Sequence, residues 1–184
     1  MDNQLNIEKL KFPIGNFIKP DIISNQEIKN WIEIIELFPF HIKNLTNTLS
    51  VEELNWKYRP DGWAIKQVIH HCADSHMNSF IRFKLALTEN VPTIKPYEEG
   101  KWAELIDSLD DCIANSIAII EGLHYRWVLL LKSFTSKELS RQFMHPESKV
   151  LYTLEEVIGL YAWHCNHHLA HIEQGLFYNG QFNK

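Results

Sequence analysis

Positive charge is in short supply in this sequence. Its 184 residues hold 18 Lys and Arg against 23 Asp and Glu, a formal net charge of −5, and the isoelectric point is about 6.0. A surface of that sign gives no footing to nucleic acid or an anionic membrane. Long apolar runs are missing too. None approaches the roughly 20 residues that span a bilayer, and Met1 to Leu10 lack the apolar core of a signal peptide. There are only three cysteines, Cys72, Cys112 and Cys165, and no Cys-x-x-Cys pair among them. An odd, unpaired set points to reduced thiols and a cytoplasmic protein. Hydrophobic residues make up 45% of the chain, which excludes disorder and a fibre. The length suits a single domain, 1–184, with a sizeable core.

Histidine is in excess: ten residues, and clustered. Four fall in Trp163-His164-Cys165-Asn166-His167-His168-Leu169-Ala170-His171. On a helix each residue turns by about 100°, so His164 and His168 share a face, about 40° apart. His171 falls between their directions one turn on, and His167 points about 60° to the side. Two neutral imidazoles at i and i+4 can converge on a divalent cation. The third ligand must come from elsewhere, and Ile69-His70-His71-Cys72 is the best candidate. Position 165 is Cys, where a His-Glu-x-x-His protease would hold its base, so a protease of that kind is disfavoured.

Along the chain, residues 1–23 read as an extended arm punctuated by Pro13, Gly15 and Pro20. Ser24-Asn25-Gln26-Glu27 is a capping box that opens a helix, which Pro39 should bend or divide. Ser50-Val51-Glu52-Glu53 opens a short turn. A loop at 58–62 follows, with Asp61 the expected N-cap of a helix over about Trp63 to Thr88. After a loop at 90–96, a third helix is expected from about Glu98 to Ser133, with Gly122 a candidate break. Thr135-Ser136-Lys137-Glu138 caps another short turn, and 141–152 reads as a loop. Thr153-Leu154-Glu155-Glu156 starts the last helix, which ends before Gly180. A weak repeat (long helix, short capped turn, loop, long helix with paired histidines) runs through both halves. Four long helices with short extra pieces predict an all-α four-helix bundle, in which facing helices commonly supply metal ligands.

In the second long helix, Ala64, Val68, His71, Ser75, Asn78 and Arg82 form one stripe at spacings of four and three. Ile65, Ile69, Cys72 and Phe80 flank it, as expected where a polar row lines an internal cavity. A single buried histidine is ordinarily a hydrogen-bonded core residue. The extra histidines and His71 on a second helix shift the balance to a metal. His70 should point away from His71, so only one of the two is counted. His41 and His124 read as ordinary structural or surface residues. Replacing His76 or His124 is expected to leave metal occupancy unchanged. Cys72 and Cys165 read as packed small apolar residues, and Trp63, Trp127 and Trp163 as core or cavity wall. Arg82, on the His71 stripe, is a candidate for binding an anion.

The segments Gly62-Trp63-Ala64-Ile65, His70 to Ser79, Ile81 to Glu89, Pro92 to Tyr97 and Trp163 to His171 resemble the YfiT-like branch of the DinB superfamily. The likeness runs from Phe12-Pro13-Ile14-Gly15 to near the C-terminus. It implies an up-down-down-up four-helix bundle holding one divalent metal, zinc or nickel, per subunit of a homodimer. Carried over residue by residue, the ligands are His71, His164 and His168. His171 stands where many DinB proteins have Gln and YfiT-like members also have His. The resemblance implies a metal-dependent hydrolase, or a transferase of a low-molecular-weight thiol such as bacillithiol to an electrophile.

Three histidines leave coordination positions open, the mark of a catalytic site. Such a metal can make a water or a thiol into a nucleophile near neutral pH. His167, His171 and Ser75 are the groups near the site that could handle protons, with His171, Ser75 and Arg82 the candidate catalytic, cavity-lining residues. A non-enzymatic metal-binding stress-response bundle is the alternative. The expected partner is a small-molecule substrate, with no nucleic acid and no membrane.

Overall fold

The computed structural model describes residues 6–183. Its elements are α1 (Ile7–Lys11), α2 (Asn25–Thr46), α3 (Val51–Leu54), α4 (Ile65–Thr88), α5 (Glu99–Trp102), α6 (Ala114–Lys132), α7 (Ser136–Leu139), β1 (Gln142–His145), β2 (Val150–Thr153) and α8 (Leu154–Tyr178). Four of the helices begin at the capping boxes legible in the sequence. At Ser24, Ser50, Thr135 and Thr153 the backbone N–H donates to the glutamate three residues on, at 2.7, 2.7, 2.9 and 2.8 Å. Each box satisfies helix-end donors that would otherwise need water.

The long helices α2, α4, α6 and α8 form a four-helix bundle. α2 and α4 each pack against both α6 and α8, which places α2 and α4 on a diagonal. Cross-links give the directions. Lys132 reaches Glu36 and Lys43 reaches Glu121, so α2 and α6 are antiparallel. His70 meets Ser116 and His76 meets His124, so α4 and α6 are parallel. Ser75 meets Tyr161 and Gly175 lies over Ile65, so α4 and α8 are antiparallel. The order is up-down-down-up. Ile35, Phe38, Ile69, Phe83, Trp127, Leu131, Ile158 and Ile172 fill the centre, all fully or almost fully buried. Each large side chain there contributes about 1.5–3 kcal/mol of transfer free energy. Among the described residues no helix is long and apolar enough to cross a membrane.

Local details depart from the pattern. Residues 1–5 of the expected arm lie outside the described residues, and the rest of it contains a helical turn, α1. Pro39 does not divide α2, which runs through it. Asp61 is not an N-cap: it has φ +52° in the turn before Trp63, and α4 starts later, with Gln67 Oε1 accepting from the Ala64 N–H at 2.9 Å. The third helix does not begin near Glu98 and is not broken at Gly122. Instead, 103–113 is a non-helical connection between α5 and α6. Its polar groups find partners off the helix. Asp110 accepts from the Cys112 N–H, and Lys66 donates to the Leu109 carbonyl and to Asp111 at 2.7 and 2.6 Å. Asp and Asn residues offer the backbone such alternatives to helix. The expected loop at 141–152 holds an antiparallel hairpin, β1–β2, whose Met144 extends it to the Pro92–Ile94 segment. Val150, Leu151 and Tyr152 favour a strand.

Candidate metal centre

Antiparallel packing of α4 and α8 brings His71 to the histidines of α8. Its ring centroid is 5.5 Å from that of His164 and 4.9 Å from that of His168. One nitrogen from each of the three lies within 4.8 Å of the others, so the group could hold a metal ion. His164 Nε2 and His168 Nε2 are 3.2 Å apart. Burial keeps all three rings neutral, the form that ligates. It pushes His71 down to about 4, aided by His167, and holds His164 and His168 well below the usual histidine range.

Backbone carbonyls fix where the ring protons sit, because a carbonyl can only accept. His171 Nε2–H donates to the Lys11 carbonyl at 3.0 Å. His171 is held neutral, its pKa pushed by burial to about 3. Its Nδ1 therefore accepts from His168 Nδ1–H at 3.3 Å, and His168 Nε2 is left with a lone pair. On the other side His124 Nδ1–H donates to the Ile35 carbonyl at 2.6 Å, His124 Nε2 accepts from His76 Nδ1–H at 2.7 Å, and His76 Nε2 accepts from His164 Nδ1–H at 3.0 Å. His164 Nε2 is left with a lone pair as well. Two lone pairs facing each other at 3.2 Å repel, and a cation held between them would turn the repulsion into binding. Imidazole nitrogens about 2.1 Å from a tetrahedral ion would stand roughly 3.4 Å apart. The donor set fits a divalent ion.

The histidines form the wall of a cavity of about 570 Å³ that also takes in Ser75, Arg82, Lys11, Arg59, Tyr97 and Tyr161. A model of the DinB superfamily matches residues 42–172 of the chain, a span that holds all three candidate ligands. The chain belongs to the DinB superfamily. Among its relatives in that superfamily, YfiT of Bacillus subtilis, named "Putative metal-dependent hydrolase", is 44% identical over 165 residues, covering 90% of this chain and 93% of YfiT. OB0782 of Oceanobacillus iheyensis, named in the same way, is 49% identical over 162 residues, covering 88% of this chain and 93% of the relative. The solved structure of YfiT, described as having an unusual four-helix bundle topology, superposes with a TM-score of 0.88 at 43% identity, covering 91% of this chain and 95% of that one.

Within this DinB site the remaining candidates separate. Ser75 Oγ lies 3.5 Å from His164 Nε2 and 3.4 Å from the Tyr161 hydroxyl, and Arg82 lines the same cavity. His171 also lines it, but both of its nitrogens are engaged, so it has no free atom for a substrate proton. His167 stacks on Trp163 with centroids 4.4 Å apart, and its buried Nδ1 has no partner among the described residues. His70 turns away to Ser116 and the Asp110 carbonyl, as its place beside His71 in sequence requires. Cys72 and Cys165 are fully buried, and burial pushes both thiols up. Trp127 is core and Trp63 cavity wall. His76 and His124, read as bystanders in the sequence, are fully or almost fully buried and in line with His164. Their link crosses three helices, and spacing within one helix gives no sign of it.

Proposed function

We propose that the protein is a metal-dependent hydrolase of a small molecule, with His71, His164 and His168 holding one divalent ion. The observation that carries this is the pair of inward lone pairs on His164 and His168, on the wall of a cavity large enough for a substrate. The names of its relatives in the superfamily agree with it. Three protein donors are the number found in catalytic sites, where a position is kept for water or substrate. When bound, the ion supplies Lewis acidity that lowers the pKa of a coordinated water or thiol.

The chain's own groups divide the remaining work. Ser75 orients the nucleophile beside His164. His167, on the same wall, is the remaining group that could take a proton. Arg82, with Lys11 and Arg59 on the same wall, holds an anionic part of the substrate. Transfer of a low-molecular-weight thiol is the second reading, and those three cations favour it if the thiol is anionic. The sulfur would come from outside, since Cys72 and Cys165 are sealed in the core and Cys112, though exposed, does not line the cavity. Imidazole donors are compatible with both zinc and nickel. The reading extends to a cytoplasmic homodimer of single-domain subunits. A non-enzymatic metal-binding role would have no use for the cavity.

Metal analysis of the pure protein, followed by ester and amide hydrolysis and by thiol conjugation to a model electrophile, tests the reading. His71→Ala, His164→Ala and His168→Ala should each strip the metal while helix content survives. A His164→Ala/His168→Ala double variant that keeps stoichiometric metal refutes the ligand set. Hydrolysis that rises through a pKa near 7 supports the first reading. A sulfur-to-cobalt charge-transfer band on adding thiol supports the second, and neither activity above the free-metal background supports the non-enzymatic role.

A further inference from the structure

Two buried histidines, His76 and His124, take no part in the proposed chemistry, yet they sit in a line that ends on His164. Its far end is a carbonyl made available by a proline. In an α-helix the Ile35 carbonyl would accept from the N–H of residue 39. Residue 39 is Pro, inside α2, and has no N–H to give. His124 on α6 supplies the missing donor at 2.6 Å. Every later step then has one allowed direction while the rings stay neutral, and the order is carbonyl, His124, His76, His164.

We propose that His76 and His124 are positioning residues that lock the proton of His164 on Nδ1 and so keep Nε2 turned to the ion. The inference rests on the reading of His164 as a ligand. Packing alone does not account for the line. Phe38, Trp127 and Tyr161 surround His76 at centroid distances of 5.1, 6.0 and 5.5 Å, and an apolar ring would serve that cage as well. The nitrogens are instead aligned at 2.7 and 3.0 Å, the range of true hydrogen bonds. Nor is the line a route for protons, because it ends on a carbonyl that can neither release nor keep one. Its effect is fixed: it selects one tautomer and one ring orientation, the service that partners of ligating histidines ordinarily perform.

The wild-type protein loaded with zinc, with imidazole nitrogens labelled with ¹⁵N, gives the direct test. Protons on His164 Nδ1, His76 Nδ1 and His124 Nδ1, with nitrogen–nitrogen couplings across the two imidazole–imidazole bonds, are expected. A proton on His76 Nε2 overturns the proposal while leaving the metal site standing. No response of His164 Nε2 to zinc overturns it at its root, because there is then no ion to orient for. Among variants, His76→Phe keeps the ring and loses the nitrogens, and its cobalt dissociation constant should rise about 10–100-fold. His76→Gln, whose Oε1 can accept from His164 and whose amide can donate to His124, should restore affinity to within a few-fold. Equal cobalt affinity in wild type and His76→Phe, with an unchanged visible spectrum, refutes the proposal. The couplings in wild-type protein decide the matter even if His76→Phe fails to fold.

Discussion

Acid should unfold the metal-free protein earlier than its carboxylates alone would. Burial pushes His71 and His124 down to about 4 and His171 to about 3. In the unfolded chain each returns to about 6.5. A folded state that binds fewer protons than the unfolded one gains stability as pH rises. The contribution of these groups is therefore fully present above about 6.5 and is lost as pH falls from there towards about 4. Between pH ~7.5 and ~5.5 each group contributes a loss of about 1.3 kcal/mol, about 4 kcal/mol for the three. His76, His164, His167 and His168 are lowered too and act in the same direction, while Asp74 and Glu155, raised mainly by burial, oppose it. A loss of about 4 kcal/mol is a large part of an ordinary domain's 5–15 kcal/mol. Urea unfolding followed by far-ultraviolet circular dichroism at the two pH values, in the presence of a chelator, measures it. A free energy of unfolding that changes by less than about 1 kcal/mol would mean that these rings are solvated or already charged in the folded state.

Two further outcomes follow from single contacts. Lys66→Met should cost about 2 kcal/mol in urea unfolding, because the buried ammonium that ties the Leu109 carbonyl and Asp111 to α4 is gone. Arg82→Ala should raise KM about 10–100-fold for an anionic substrate and leave a neutral analogue of it almost unchanged, since only the anion loses a charged partner on the cavity wall.

Much of this fold could be read before any coordinates. The four capping boxes are local chemistry, complete within four residues, and they start helices where the sequence places them. The convergence of His71 with His164 and His168 was legible because helical spacing fixes directions, and family likeness chose between His70 and His71. The failures, Asp61 apart, have a common cause: the deciding partner is remote in sequence. The break at 103–113 depends on Lys66, and the hairpin at 142–153 on Pro92 and Ile94. Asp61 looked like a cap by type, but Gln67 does that work for Ala64. His124 looked ordinary because its two partners, the Ile35 carbonyl and His76, belong to α2 and α4.

The Lys11 carbonyl that receives the His171 proton belongs to the main chain of the N-terminal arm. Gln174 holds the neighbouring Leu10 carbonyl and Trp163 the Gly15 carbonyl, so the arm is stitched to α8 through its backbone. Sequence drift at position 11 therefore leaves this acceptor untouched, because every amino acid brings the same C=O. Length is another matter. Inserting or deleting a single residue between Leu10 and Gly15 would move the carbonyls out of register with α8 and release the His171 and His168 rings. These backbone contacts should accordingly survive substitutions in the arm but not indels.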